Sequence, residues 1–260
     1  MTGSADWKIT GVSVRGAAHA RSGNGNQDAF GYRLADPPGA GLLAAVSDGH
    51  GASIHCRSAV GADLAVQSAL RMLGQDGAEG CAARETLAEW RRAVGRHAVR
   101  NPFSAEEIVQ CGGRLPLAYG ATLIALRVTG ASADMIQIGD GDLLAGFADD
   151  RIERPLAANE WLFGEETYSL CLDDAEHRFR GTEWRYGAGR VEPDFFLLST
   201  DGVFKSLAGE TEFRGLARRL RTLALRDWSG LCDALPGWLA SLSARGSADD
   251  CTLCLAVRPR

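Results

Sequence analysis

The chain of 260 residues predicts a single α+β layered domain. Three features of the sequence favour this fold class. Apolar runs typical of strands occur in groups, and pairs of amphipathic stretches typical of helices separate those groups. A regular strand–helix–strand alternation is missing, which argues against a Rossmann-like parallel sheet. Because neither a Pro/Ser-rich linker nor a repeat period divides the chain, we expect one domain over residues 1–260, with an insertion at about residues 150–193.

Each predicted element follows from its hydrophobic pattern. Helices are expected where apolar residues recur every three or four positions, as Leu87, Trp90 and Val94 do. The predicted helices span residues 59–73, 84–99, 212–225 and 231–242. Strands are expected where apolar runs are short and bounded by turn residues. The predicted strands span residues 9–15, 119–128, 133–138, 142–147, 195–200 and 252–257, and two more open at Asp28 and Leu42. The segments predicted as irregular are 16–27 and 101–116.

The composition is that of an ordinary globular protein, with 45% hydrophobic and 23% charged residues. The net charge of −5 gives no reason to expect nucleic acid or an anionic membrane as a partner. We find no signal peptide pattern and no apolar run near the ~20 residues of a membrane helix. The seven cysteines are scattered, so we expect no disulfide framework and a cytoplasmic location. Cys251 and Cys254 lie three apart in a strand, where they would face opposite sides.

The stretch that begins at Leu42 organises the rest of the chain. Its apolar residues run without alternation as far as Val46, which predicts a strand buried on both faces. Asp48 and Gly49 then mark the end of that strand, where a carboxylate is held by a rigid element yet open to solvent. Such a carboxylate suits a metal ion, although an Asp-Gly pair can also be a simple turn.

Four further acids stand at predicted strand ends and make the metal interpretation stronger. They are Asp28, Asp140, Asp201 and Asp249. If the five carboxylates converge, each like-charged pair at ~4 Å costs about 4 kcal/mol at an effective dielectric of about 20. Divalent cations would remove that repulsion, and oxygen ligands select Mg²⁺ or Mn²⁺ over zinc.

Six short motifs carry a resemblance to a known family. They are Asn26-Gln27-Asp28-Ala29, Ser47-Asp48-Gly49-His50-Gly51, Tyr119-Gly120-Ala121-Thr122-Leu123, Ile138-Gly139-Asp140, Leu198-Ser199-Thr200-Asp201-Gly202-Val203 and Asp249-Asp250-Cys251-Thr252. In this order, the motifs resemble those of the PPM family, the metal-dependent type 2C protein Ser/Thr phosphatases, over residues 16–257. The resemblance implies a four-layer α-β-β-α sandwich of two antiparallel sheets flanked by helix pairs.

The resemblance also implies a site for two Mg²⁺ or Mn²⁺ ions. Asp48 would bridge both ions and Gly49 would offer its carbonyl oxygen. Asp28, Asp201 and Asp249 would complete the ligand shells, and Asp140 would help Asp201 to hold a third, weaker ion. His50 would protonate the leaving oxygen. The implied reaction is hydrolysis of phosphoserine and phosphothreonine on protein substrates, in opposition to a Ser/Thr kinase.

The chain departs from the family pattern in ways typical of a divergent bacterial branch. His19 stands where many members carry a phosphate-binding arginine, so either Arg21 or His19 is expected to bind phosphate, with Arg21 preferred. The loop after Asp140 differs, and Asp250 replaces the usual asparagine.

Two other functions stay open, a non-catalytic phosphoprotein-binding or regulatory relative and a phosphatase for small metabolites. The aromatic residues of the 150–193 insertion would either shape substrate choice or pack a satellite core. They are Trp161, Phe163, Tyr168 and Trp184.

Overall fold

Two five-stranded antiparallel sheets form the centre of the computed structural model, which describes residues 6–35, 40–75, 82–156, 167–187 and 191–259. The strands are β1 (Lys8–Val14), β2 (Ala29–Leu34), β3 (Gly41–Ser47), β4 (Leu123–Thr129), β5 (Ser132–Ile138), β6 (Asp142–Gly146), β7 (Ile152–Glu153), β8 (Arg180–Arg185), β9 (Phe195–Ser199) and β10 (Cys251–Val257). The first sheet has the order β1-β10-β9-β6-β7 and the second the order β2-β3-β4-β5-β8.

Two pairs of long helices cover the outer faces of the sheets. The α-helices of the described residues are α1 (Ala17–Ser22), α2 (Ser58–Met72), α3 (Ala82–Arg100), α4 (Ala105–Gln110), α5 (Asp201–Lys205), α6 (Glu210–Arg226) and α7 (Trp228–Arg245). Side chains of α2 and α3, with Trp90 the largest, pack on the second sheet. Those of α6 and α7, with Phe213 the largest that is fully buried, pack on the first. A third apolar cluster fills the space between the sheets. The predicted four-layer α-β-β-α sandwich is therefore confirmed.

Strand β3 shows why its sequence does not alternate. All seven of its residues are buried. Leu42, Ala44 and Val46 face the cluster between the sheets, whereas Leu43 and Ala45 face the helices. A strand with apolar contacts on both faces needs apolar residues at every position, as the sequence predicted.

Two segments predicted as irregular each contain a short helix. Within 16–27, α1 is tied to the far end of the chain by the Ala18 amide, which donates to the Ala248 carbonyl at 2.8 Å. Within 101–116, α4 begins with a capping box between Ser104 and Glu107. Arg57 fixes this helix through two hydrogen bonds to the Glu107 carboxylate, at 2.7 and 2.9 Å. Both helices have only six residues, too few for a periodic signal.

The predicted insertion at 150–193 contributes to the sheets where it is described. Strand β8 pairs with β5 at the edge of the second sheet. Trp184 is buried between the sheets, and Tyr168 packs against the helical side of the second sheet. These two aromatic residues therefore have packing roles. Trp161 and Phe163 lie outside the described residues.

The cysteines lie where the sequence expected them. Cys251 faces the α6–α7 layer and Cys254 faces the space between the sheets, so the pair does not share a face of β10. The six cysteines in the described ranges are all free thiols. In those same ranges, no helix has the length and apolar character that crossing a membrane requires.

Candidate metal centre

Five aspartates come together at one end of the sandwich. Asp28 directly precedes β2 and Asp48 directly follows β3, and these two strands pair antiparallel. Asp140 follows β5, which ends on the same side of the second sheet. On the first sheet, Asp201 follows β9 at the start of α5, and Asp249 lies just before β10. The antiparallel pairing thus brings strand ends that are distant in sequence to one edge.

A hydrogen bond joins the two sheets at this edge. The Thr200 hydroxyl donates to Oδ2 of Asp28 at 2.8 Å. The Thr252 amide in turn donates to the same Thr200 hydroxyl at 3.0 Å. Thr200 therefore fixes the distance between the acid of one sheet and the acids of the other.

The segment Asp48–His50 is held by the Tyr119–Leu123 motif. The Asp48 amide donates to Oγ1 of Thr122 at 3.0 Å, and the Thr122 amide donates to the Asp48 carbonyl at 2.8 Å. A Cβ at Gly49 would lie 2.6 Å from the Gln27 carbonyl oxygen, so only glycine fits between these segments. The Ser47–Gly51 and Tyr119–Leu123 motifs therefore form one hydrogen-bonded unit that positions Asp48.

The electrostatics of the cluster are those of a site with too little positive charge for its acids. Burial, followed by the charges of the other four aspartates, raises the pKa of Asp48 well above its usual range. Burial also raises the pKa of Asp28 to about 8, although hydrogen bonds from Thr252 and Thr200 act to lower it. The pKa of Asp140 rises to about 6 through burial and the charge of Asp201. The same two causes raise the pKa of Asp249.

The donor atoms fit hard divalent cations. Oδ1 of Asp28, Oδ1 of Asp201 and Oε1 of Gln27 are buried with no hydrogen-bond partner in the described part of the chain. Unpartnered buried oxygens are rare in native proteins, and an ion would satisfy them. Among the described residues, no three acidic, histidine or cysteine side chains form a ready-made ion cage. The other oxygens of Asp28 and Asp201 already bind Thr200 and Lys205, so ion binding requires side-chain adjustment.

Asp249 and Asp250 have different surroundings despite their adjacency. Asp250 accepts hydrogen bonds from the Gly16 amide at 2.6 Å, the Gln27 amide at 2.7 Å and Nδ1 of His19 at 2.9 Å. Its oxygens are therefore engaged in fixing the first loop. Asp249 instead interacts with Asp48 and Asp201 in the acid cluster.

His19 and Arg21 both lie on α1, but only His19 faces the cluster. Its Nδ1 is held by Asp250, and its Nε2 lies 3.9 Å from the position that a Cβ at Gly51 would take. Arg21 is exposed and forms no hydrogen bond or ion pair with the part of the chain that the structure describes. The structure therefore places His19 beside the acid cluster and Arg21, which the sequence preferred for phosphate binding, at the surface.

His50 lies against a second histidine. The ring centroids of His50 and His55 are 4.9 Å apart, and Nδ1 of His55 donates to the Leu117 carbonyl at 2.5 Å. Burial, followed by the charge of His55, lowers the pKa of His50 to about 4. The His50 imidazole is consequently neutral at pH 7 before any substrate binds.

Lys205 is a member of the site that sequence reasoning missed. Its Nζ lies 2.5 Å from Oδ2 of Asp201, one helical turn earlier on α5. Burial opposes the charged form, but the hydrogen bond to Asp201 and the charges of Asp201, Asp140 and Asp249 raise the pKa of Lys205. The spacing of four residues after Asp201 was a usable signal, because such pairs meet on a helix.

Comparisons with known proteins agree with this fold. A family profile described as protein phosphatase 2C matches residues 15–240. The structure is similar to PppA of Pseudomonas aeruginosa, a key regulatory component of T6SS, with 20% identity, 98% of this chain and 99% of that chain covered, and a TM-score of 0.64. It is similar to the catalytic domain of PstP in complex with two manganese ions, with 20% identity, 98% and 99% coverage, and a TM-score of 0.60. It is also similar to Stp1 of Staphylococcus aureus, with 15% identity, 96% and 94% coverage, and a TM-score of 0.62. No curated protein matches the sequence.

Proposed function

The chain belongs to the protein phosphatase 2C family of metal-dependent protein serine/threonine phosphatases, and we propose that it hydrolyses phosphoserine and phosphothreonine through two divalent ions held by its aspartate cluster. The observation that carries the proposal is the convergence of five aspartates from both sheets, with buried oxygens of Asp28 and Asp201 left unpartnered. A binding module has no need of such a costly arrangement, since each unpaired carboxylate weakens the fold.

Each aspartate has a proposed part in holding the ions. Asp48 would bridge the two ions, as the family resemblance implies, and the charges of all four other acids act on it. Asp28, Asp201 and Asp249 complete the shells, and the Gly49 carbonyl adds a neutral oxygen. Asp140 lies at the periphery beside Asp201. Mg²⁺ or Mn²⁺ bound there lowers the pKa of water and neutralises phosphate charge.

Two histidines have proposed contacts with the substrate. His19 binds a phosphate oxygen through Nε2, because Asp250 fixes the ring from the other side. His50 donates a proton to the leaving oxygen of serine or threonine, as the family resemblance implies. Since the free imidazole is neutral at pH 7, this donation requires that the bound phosphate first draw a proton onto His50.

The proposed setting is the cytoplasm, where the chain would oppose a Ser/Thr kinase. Free thiols at both exposed and buried positions, such as Cys56 and Cys254, suit a reducing compartment. The substrate is proposed to be a phosphorylated protein. A small phosphorylated metabolite is the alternative that the first experiment separates.

The first experiment measures hydrolysis of a phosphothreonine peptide and of a sugar phosphate, each with Mn²⁺, with Mg²⁺ and with excess chelator. We expect peptide turnover with either ion, no turnover with chelator, and little turnover of the sugar phosphate. Full activity in excess chelator would exclude the two-ion mechanism. Turnover of the sugar phosphate alone would reassign the substrate class.

A second experiment tests the phosphate contact. We expect His19→Ala to raise KM for the peptide at least about tenfold, the effect of losing one charge-assisted hydrogen bond of 1.5–3 kcal/mol. Arg21→Ala, the matched control on the same helix, should change KM less than about twofold. A larger effect of Arg21→Ala would restore the assignment that the sequence favoured.

A further inference from the structure

The basic residues of this chain are unevenly divided between two types. Of the 28 lysines and arginines, only Lys8 and Lys205 are lysines. Both are exposed, Lys8 on β1 and Lys205 on α5 with 55% of its side chain accessible, but the ammonium of Lys205 contacts Asp201 of the acid cluster. An ammonium is a compact point charge with three rotatable donors, whereas a guanidinium is a flat fork. Among side chains, lysine therefore comes nearest to a metal ion in shape and charge.

The position of Lys205 divides the acid cluster into two sides. Its Nζ lies 2.5 Å from Oδ2 of Asp201, whose side chain is only 10% exposed. Its charge also acts on Asp140 and Asp249. The largest influences on Asp28 and Asp48 are burial, hydrogen bonds from Thr200 and Thr252 to Asp28, and the charges of other acids. The ammonium thus lies on the side of Asp140 and Asp201, where it contacts Asp201 directly.

We propose that the Lys205 ammonium is a resident cation of the site, which limits the protein to two divalent ions and takes the place of any further ion beside Asp140 and Asp201. This inference rests on the proposed function. Formal charge supports it, because five ionised aspartates are balanced by two divalent ions together with one ammonium. Without the ammonium, the side of Asp140 and Asp201 would attract a third divalent ion. With it, a third ion would meet a like charge at close range.

The test counts Mn²⁺ ions by isothermal titration calorimetry and measures melting temperatures in chelator. The four proteins are the wild type, Lys205→Met, Lys205→Asp and the matched control Lys8→Met. We expect two Mn²⁺ ions in the wild type and in Lys8→Met, and a third, weaker ion in Lys205→Met and Lys205→Asp. In chelator, Lys205→Met should melt a few degrees below the wild type, because the acids lose their counter-charge, while Lys8→Met should be unchanged.

Two results would overturn the inference and leave the proposed function standing. One is three Mn²⁺ ions in the wild type. The other is two ions in every variant, together with equal melting of Lys205→Met and the wild type in chelator. If Lys205→Asp does not fold, Lys205→Met still decides the matter through its melting temperature and ion count. A wild type that binds no Mn²⁺ would instead defeat the proposed function, and this inference with it.

Discussion

Glu89 and Asp48 are both carboxylates withdrawn from solvent, yet their surroundings are opposite. Glu89, on α3, accepts hydrogen bonds from Arg71 at 2.9 Å, Arg92 at 3.0 Å and Arg96 at 2.8 Å. The hydrogen bond from Arg96 is the leading cause that lowers the pKa of Glu89. Asp48 is surrounded by acids instead, and its pKa is raised. Three guanidinium groups thus surround the single charge of Glu89, whereas the neighbours of Asp48 are themselves acids.

The sign of the surrounding charge distinguishes a structural carboxylate from a proposed functional one better than the shape of a nearby cavity does. A cavity of about 310 Å³ lies between α2 and α3 and is lined by Arg71, Glu89 and Arg96. Its single acid is fully satisfied by side chains of the protein. The aspartate edge is the opposite case, because its five acids have a single ammonium, that of Lys205, beside them, and buried oxygens of Asp28 and Asp201 have no hydrogen-bond partner among the described residues. Uncompensated charge is therefore the main support for the proposed functional site.

The largest expected effect is on turnover. Asp48→Asn should lower kcat by at least about a thousandfold, because the loss of a bridging ligand removes several kcal/mol of transition-state stabilisation. Glu89→Gln, which removes the same kind of charge from the other region, should keep kcat within about twofold. Steady-state kinetics on a phosphothreonine peptide with Mn²⁺ measures both. A comparable loss in the two variants would end the distinction between the regions.

Thermal melts show whether Asp48→Asn acts on the site or on the fold. In chelator, the variant should melt at the same temperature as the wild type or higher, because a neutral isostere relieves repulsion. With Mn²⁺ the order should reverse, since the wild type gains about 2.7 kcal/mol at a hundredfold excess over Kd and the variant gains less. A variant that is clearly less stable in chelator would mean that Asp48 is a turn residue.

The pH dependence of stability should have opposite sign in the two regions. In chelator, folded Asp28 with a pKa of about 8 holds a proton that the unfolded chain releases near pH 4. The folded state then binds more protons, so stability should fall as pH rises from about 4 to 8, by up to about 1.4 kcal/mol per pH unit. Urea unfolding in chelator measures the slope, and Asp28→Asn should flatten it. An unchanged slope in Asp28→Asn would show that Asp28 is not the group responsible.

The sequence predicted the layers and the acids well because both have local signals. Apolar runs report burial on two faces, as in β3, and acids beside glycines report strand ends. The helix α4 also had a local signal, the Ser104–Glu107 capping box, which the absence of apolar periodicity concealed. Such features depend only on neighbouring residues, so pattern reasoning can find them.

The remaining features depend on contacts between residues far apart in the chain. The bond between His19 and Asp250 spans 231 positions and decides which residue of α1 faces the cluster. Similarly, the bond from Thr200 to Asp28 spans 172 positions. No local pattern indicates either pairing. Lys205 is an intermediate case. Its spacing of four residues from Asp201 is visible in the sequence, whereas its charge interaction with Asp140 depends on the fold.

The smallest expected effect is on stability at Glu89. Its three arginine partners are 48–61% exposed, so they can return to water when the carboxylate is removed. Glu89→Gln should therefore lower the free energy of unfolding by only about 1–2 kcal/mol, the net worth of charge-assisted hydrogen bonds, and less than the loss expected for a fully buried ion pair.

The pH window of that effect follows from the lowered pKa of Glu89. A depressed folded pKa means that the contribution is present above the unfolded value of about 4.3 and is lost as pH falls through the folded value. Urea unfolding of the wild type and Glu89→Gln, both with Mn²⁺, should differ at pH 7, and the difference should shrink as the pH falls through the lowered pKa of Glu89. A difference that does not shrink as the pH falls would mean that Glu89 acts through packing and not through charge. At the aspartate edge, protonation is expected to stabilise the metal-free fold. The two regions would then no longer differ in the sign of their pH dependence.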